Sequence, residues 1–592
     1  MVLRSDSSSR WVLLACTVAV LFAGYGSQSA AAQPDVRFGV VEAYAAPAAA
    51  SQAGVAWERV RFHWAEIQAG GEGSWNSGDL TDDLLGRELS AGRQLVGLLI
   101  GIPDWANENG IPRGLELPHT DPRNTWATFV RTVVARYAGR IDHWILWNEP
   151  DVWDANHAGH TWGGSVNDFV QLTRVGYVTA KETNPQAVVH LAAVTHWWDA
   201  AYGRQLYFQR FLEALVADSN AAGNNYYFDV ATLHLYFQPQ FVFDLTSYYY
   251  GLMGSYGIWK PIWIVETNAA PSMDPAWPVA QPRFHISLDE QAAYMPQALA
   301  LGLAAGAQRI AIYKLMDTPG DAAANPEPFG LIRADGSPRP AFSTYRVATQ
   351  LLNGAGRTTR DRWDDIGLVT VEQPGGTTTV LFSRVPGPRV AQVPAFANTA
   401  VLVDMWGNRQ TVTAQDGSFA VQLPAAPCSQ SAGDYCIIGG PTFYLVQGHP
   451  GGHEAISGTL APVTPDPAAP AEPAATQPPT FSPSATRTVT ASPSRTPSPT
   501  GTPSSPNTVT PTNTGTNTPV VKPSGTSMHR LTTAPTTRSP SRSTEPTPFV
   551  VSPAPTPLPD SASLTNTRGS VLWLLLFTLV LATIVLLWRR AH

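Results

Sequence analysis

Between Asp35 and about Ala348, short apolar runs alternate with longer stretches whose apolar residues recur at three- and four-residue spacing. The runs are VRFGVVEAY, WERVRFHW, QLVGLLIGIP, IDHWILWNEP, AVVHLAAVTHW, YFDVATLHLY, PIWIVETN and RIAIYKLMD. Strand-like runs separated by helical segments imply βα units with parallel strands. Eight of them predict an α/β chain whose residues 33–348 close into a (β/α)8 TIM barrel. The helix before the fourth run has the plainest pattern. Asp121 is placed to cap it with Pro122 in the first turn, and Trp126, Phe129, Val130, Val133, Val134 and Tyr137 form a stripe that should face the barrel wall. Before the eighth run, Ser287 and Glu290 predict a capping box on a helix running towards Gly306.

From 349 to 450 the helical period stops. GLVTVEQ, TTTVLFSRV, TAVLVDMW, GSFAVQLP and PTFYLVQG follow one another, separated by the turn signals PGG, WGN and QDG. This predicts a small antiparallel β-sandwich domain. It is expected to be a structural appendage of the barrel, with carbohydrate binding as the alternative role. Residues 451–569 are rich in Pro, Thr and Ser with almost no aromatic side chains. Such a stretch cannot bury enough apolar surface to offset its ordering entropy, so a disordered stalk is expected.

The two ends carry targeting signals. Arg4 and Arg10 precede an apolar run from Trp11 to about Tyr25, and Ala30, Ala31 and Ala32 follow, which is the order of a signal peptide over residues 1–32. An uncleaved anchor is the alternative. Residues 570–588 are apolar and about long enough to span a bilayer, with Arg589 and Arg590 directly after them. A single transmembrane helix is expected there, with residues 589–592 as a cytoplasmic tail and the rest on the extracellular face of the cell membrane.

Composition narrows the partners. Charged residues are only 14% of the 592, the formal net charge is −7, and there are 19 Trp and 18 Tyr. That balance excludes a nucleic-acid binder. Of three cysteines, Cys16 lies in the first hydrophobic run, leaving Cys428 and Cys436 as a disulfide candidate in an oxidising compartment.

Barrel enzymes place their reactive groups at the C-terminal ends of strands. The fourth run ends in Asn148, Glu149 and Pro150, and the seventh in Glu266, Thr267 and Asn268. A single strand-end glutamate is more often a surface or structural carboxylate. Two from separate strands, facing one pocket, are what glycoside hydrolysis requires. His234 and Tyr236, two apart on the sixth run, share one face.

The order RFHW, WNEPD, HLY, VET resembles clan A of the retaining glycoside hydrolases, and most resembles family 39, the β-xylosidase and iduronidase group, over roughly residues 35 to 448. The resemblance implies that Glu149 is the acid/base and Glu266 the nucleophile. Asn148 would bind a sugar hydroxyl, Arg61 would keep the nucleophile ionised, and His234 and Tyr236 would orient that same carboxylate. His63, Trp105 and Trp153 are further candidates for substrate binding, the tryptophans as platforms for pyranose rings. Clan members often place a Trp after the eighth strand, where this chain has Tyr313 and Lys314 followed by Asp317. Lys314 could pair with a substrate carboxylate such as a uronic acid, or with Asp317. His157 and His160 beside Asp154 mimic a metal site but lack a third placed ligand, so no metal and no cofactor are expected.

The expected activity is hydrolysis of β-type (equatorial) bonds in a glycoside, oligosaccharide or polysaccharide, by double displacement. A non-catalytic carbohydrate-binding or adhesion protein and a transglycosylase are the alternatives.

Overall fold

The computed structural model describes residues 33–78, 80–321 and 327–448. Eight parallel strands, each followed by a helix, make the first part. The strands are β1 (Phe38–Val41), β2 (Trp57–His63), β3 (Gln94–Ile100), β4 (His143–Asn148), β5 (Val188–Ala193), β6 (Ala231–Tyr236), β7 (Ile262–Asn268) and β8 (Arg309–Ile312). The helices are α1 (Pro47–Gln52), α2 (Asp82–Ser90), α3 (Thr125–Tyr137), α4 (Val166–Thr183), α5 (Tyr207–Ala217), α6 (Pro239–Ser255), α7 (Leu288–Ala304) and α8 (Pro340–Leu351). The strand order is β5-β4-β3-β2-β1-β8-β7-β6. Closure comes from the bridges His190–Val230 and Val194–Leu233 between the β5 and β6 segments. The last helix runs three residues beyond the expected boundary at 348.

Alternate residues of the strands face inward and fill the barrel. Trp57, Val96, Leu98, Ile100, Ile145, Ala193, Trp263, Val265 and Ala311 form one buried cluster. Gly39 makes room for it, because a Cβ there would lie 2.4 Å from the indole of Trp57. The opposite faces meet the helices in a second, larger core that includes Phe62, Trp126, Phe129, Val133 and Tyr137. All six residues of the expected α3 stripe are buried. The cap of α3 is not Asp121. Asn124 accepts from the Ala127 N–H and donates to the Leu117 carbonyl, while Asp121 turns to Arg123. The capping box of Ser287 and Glu290 opens α7 as expected.

The second part has a six-stranded antiparallel sheet built from β9 (Thr358–Trp363), β10 (Ile366–Gln373), β11 (Gly376–Ser383), β13 (Thr399–Asp404), β14 (Arg409–Thr413) and β16 (Phe443–Gly448), in the order β9-β10-β11-β16-β13-β14. A separate pair, β12 (Arg389–Pro394) and β15 (Ser418–Leu423), covers one face. Ile366, Leu381, Val393, Leu402, Phe419 and Leu445 fill the space between. The other face lies on α7, where Gln297 hydrogen-bonds the Gly440 carbonyl and the Gly439 N–H, each at 3.0 Å. Cys428 and Cys436 form a disulfide with their Cα atoms 4.9 Å apart.

Among the described residues no helix is long and apolar enough to cross a membrane. The expected leader at 1–32, stalk at 451–569, span at 570–588 and tail at 589–592 lie outside the described residues.

Candidate active site

The strand ends at the C-terminal side of the barrel bring Glu149, Glu266, His234 and Tyr236 together. A Glu149 carboxylate oxygen, a His234 ring nitrogen and a Glu266 carboxylate oxygen all lie within 4.8 Å of one another. Glu266 is 6% exposed. Burial alone would push its carboxyl up, but the Arg59 guanidinium beside it and the hydrogen bond from the Tyr236 hydroxyl outweigh that and hold it below its ordinary range. The Tyr236 phenol is pushed well above its usual value by burial and then by the charge of Glu266, so it remains a donor.

His234 Nδ1 lies 2.7 Å from Glu149 Oε1 and 3.4 Å from Glu266 Oε2, and its Nε2 lies 3.3 Å from Arg59 Nη1. A guanidinium only donates, so Nε2 must accept and the ring hydrogen must sit on Nδ1, pointing at the carboxylates. The ring was expected to orient the Glu266 carboxylate. It bridges the two, with its shorter contact to Glu149. With one oxygen of Glu149 engaged in this way, the other remains to carry a proton.

Arg61 does not reach the nucleophile. Its side chain is 54% exposed and, among the described residues, its carboxylate partner is Glu66, at 3.6 Å. Register explains the exchange. Thr267 pairs with Ile312, Ile312 with Val40 and Val40 with Glu58, so Glu266 stands level with Trp57, and Arg59 is two residues nearer the mouth on the same face. Arg61 lies a further two residues out, about 6 to 7 Å beyond Arg59. Both arginines lie on the same strand face, and only the closed register tells them apart.

Asn148 is half-buried beside Glu149, and its carbonyl accepts from Thr161 Oγ1 at 2.6 Å. His63 ends β2 near the rim, 3.6 Å from Glu66, and burial lowers its basicity. Both tryptophans keep part of their surface exposed and have their indole N–H groups held by backbone carbonyls. Trp105 meets Trp64 edge-on at 6.0 Å and donates to the Gln68 carbonyl. Trp153 is 39% exposed, donates to the Trp198 carbonyl at 2.8 Å and carries Arg204 over its ring at 4.8 Å.

Lys314 is only 5% exposed and its ammonium is held by Asp321 at 2.8 Å and Glu42 at 3.2 Å. Its charge is thus matched twice, by neighbours other than the expected Asp317. Asp317 is taken by Arg339 and the Gly330 N–H. Tyr313 stands near Tyr236 and Phe329 as an aromatic corner of the site.

His157 and His160 turn to different partners, Trp198 and the Val152 carbonyl. The one grouping of metal-capable donors among the described residues is Glu149, His234 and Glu266. It fits a cation poorly, because both ring nitrogens of His234 are engaged and Arg59 already supplies the positive charge.

Glu149 adopts φ +45° and Trp147 φ +84°, backbone conformations that L-residues adopt only when their surroundings hold them there. The Glu149 N–H donates to the Ala193 carbonyl at 3.0 Å. Sequence reasoning passed over two neighbours, Asp151 and Thr195. Asp151 was visible only as the residue after NEP, and nothing in its spacing announces burial.

No protein-family model matches the chain, and no curated protein sequence matches it. Among solved structures, a family 39 glycoside hydrolase from the gut symbiont Bacteroides cellulosilyticus WH2 is similar. It is 17% identical, with 70% of this chain and 81% of that one covered and a TM-score of 0.53. A glucosidase from Croceicoccus marinus is 14% identical, with 68% and 91% covered and a TM-score of 0.46. A β-xylosidase from Caulobacter crescentus CB15 is 14% identical, with 69% and 96% covered and a TM-score of 0.45. At such identities the first likeness is one of fold.

Proposed function

We propose that this chain is a retaining glycoside hydrolase that cleaves β-type, equatorial glycosidic bonds, with Glu149 as acid/base and Glu266 as nucleophile. The observation that carries the reading is the closeness of the two carboxylates at the barrel mouth, with oxygens within 4.8 Å. Retaining pairs stand about 5 to 5.5 Å apart, whereas inverting pairs leave room for water at about 6.5 to 9.5 Å. The fold shared with the family 39 structure supports the same reading.

In the first step Glu266 attacks the anomeric carbon as Glu149 gives its proton to the leaving oxygen. The products are a glycosyl ester on Glu266 and the free aglycone. In the second, Glu149 takes a proton from water, which attacks the same carbon and releases Glu266 as carboxylate. Arg59 and Tyr236 keep Glu266 ionised and aimed between turnovers. Asn148, at the strand end, is the candidate for a sugar hydroxyl.

The test separates the two glutamates. Glu149→Ala should slow poor leaving groups greatly and a dinitrophenoxide little, since that group departs without protonation. Azide should then speed turnover and give a β-glycosyl azide. Glu266→Ala should be rescued by no leaving group, and azide should give the α-glycosyl azide. A first product of inverted configuration, or equal loss on good and poor leaving groups in Glu149→Ala, would sink the assignment.

The proposal extends to location, outside the cell and tethered by residues 570–588. The leader-like residues 1–32 support it, as does the disulfide Cys428–Cys436, which belongs in an oxidising compartment. Protease added to intact cells should release active barrel by cutting within 451–569. Activity that appears only after lysis would refute this placement.

A further inference from the structure

Asp151 is buried, sits two residues after Glu149 and has no part in either chemical step. Its side chain is 2% exposed. Oδ2 accepts from both the N–H and the hydroxyl of Thr195, each at 2.8 Å. Oδ1 is enclosed with no hydrogen-bond partner among the described residues. Thr195 follows directly on the segment that anchors the site, because the Ala193 carbonyl receives the Glu149 N–H at 3.0 Å and the Val194 carbonyl receives the His234 N–H at 3.1 Å. We propose that Asp151 is a positioning residue for Glu149, tying the end of β5, on which Glu149 and His234 both hang, to the loop that leaves β4. The inference rests on the glycosidase reading of Glu149.

The tie explains how Glu149 is held at φ +45° without a glycine. It also explains why a carboxyl is placed here. Burial first, and then the charge of Glu149, push Asp151 up to about 7. Around it stand Glu149 and Thr195, Tyr207 from α5 and Tyr249 from α6, with His196 near the Tyr249 hydroxyl at 3.3 Å. Both tyrosines are pushed well above their usual value, chiefly by burial, and stay neutral. The guanidiniums of Arg204 and Arg210 are taken up by Asp199. Below pH about 7 Asp151 is therefore a neutral tie. Glu149 can then become an anion, as it must when its proton leaves, without facing a second buried charge. Above that pH the ionised Asp151 opposes this step.

The experiment uses the full chain. Asp151→Asn keeps an acceptor for Thr195 but cannot ionise. Its kcat should stay near wild type at pH 6, and the fall in turnover expected of wild type as pH rises through about 7 should be displaced upward. Asp151→Ala cuts the tie and should lower kcat roughly 100-fold with little change in KM, the scale of a small misplacement of a reacting group. Difference infrared spectroscopy supplies a readout independent of turnover. A protonated carboxyl titrating near 7 should be present in wild type, absent in Asp151→Asn and moved to lower pH in Glu149→Gln. Wild-type kcat in Asp151→Ala, or a pH profile unchanged in Asp151→Asn, overturns the inference. An infrared midpoint for Asp151 in the ordinary carboxylate range of about 4 overturns it as well. If the wild-type chain turns over no glycoside, the functional reading fails, and the infrared titration still decides whether Asp151 is coupled to Glu149.

Discussion

Two arginines on one face of β2 differ by two residues and by their whole electrostatic setting. Arg59 is 6% exposed and shares Glu266 with Tyr236, so its charge acts where little water screens it. Arg61 is mostly in solvent, 3.6 Å from an exposed Glu66, where an ion pair contributes little. Arg59→Met should therefore lower kcat/KM for an aryl glycoside by roughly 100- to 1,000-fold, the range for losing one preorganised donor on a reacting group. Arg61→Met should leave it near wild type. Arg59→Lys keeps the charge but loses the fork that reaches both Glu266 and His234, and should fall between. Steady-state kinetics, with circular dichroism to verify folding, checks all three. A larger loss in Arg61→Met than in Arg59→Met would return the role to Arg61.

At the scale of elements, the start of α3 shows how a local signal is read correctly in kind and wrongly in place. Asp121 precedes Pro122, the usual order of a cap and a first turn, yet the helix begins four residues later at Thr125. The segment between is held by its own turn, with Asp121 paired to Arg123. Asn124 is fully buried and bonded on both ends of its amide. Asn124→Ala should thus cost about 1 to 3 kcal/mol, a lost cap plus an unsatisfied buried group, measured by urea unfolding. Asp121→Ala should leave the midpoint where it is. The same limits ran through the rest of the chain. Most of the barrel strands were legible as near-continuous apolar runs, as strands buried on both faces tend to be, while β2 interleaves Glu58, Arg59 and Arg61 with its apolar residues. Three strands of the sandwich were not. β9 and β14 lie at sheet edges with polar sequences, half-buried in β9 and exposed in β14, and β12 is a short alternation that turns only Ala391 and Val393 inward. In the site, the carboxylates and their flanking histidine and tyrosine were legible from strand ends. Arg59, Asp151 and Thr195 were not, because register and burial are properties of the closed barrel.

Over the whole molecule, buried titratable groups at opposite ends of the barrel pull stability in opposite directions with pH. At the bottom, His143 Nδ1 lies 2.9 Å from His190 Nε2, with Trp263 against both rings. Burial first, then Arg309, lower His143 from the ordinary 6.5 to about 4, and burial lowers His190 well below its usual value too. The unfolded chain takes up protons on these rings below about 6.5 while the native chain does not, so their contribution is full above that pH and lost as acid is added. For His143 the displacement corresponds to roughly 3 kcal/mol by about pH 4. At the mouth, Asp151 does the reverse. Its folded value of about 7 lies above the unfolded carboxylate, so its contribution is full in acid and lost as pH rises from about 4 to about 7. Within pH 4.5 to 6.5 the two slopes oppose, and removing either group should uncover the other. His190→Phe keeps a ring against Trp263 and should lose less stability than wild type between pH 6.5 and 4.5. Asp151→Asn should lose more over the same interval. Unfolding free energies from urea titrations at those two pH values give the comparison. Parallel pH dependence in wild type and both variants would mean that neither group titrates differently in the folded and unfolded chain.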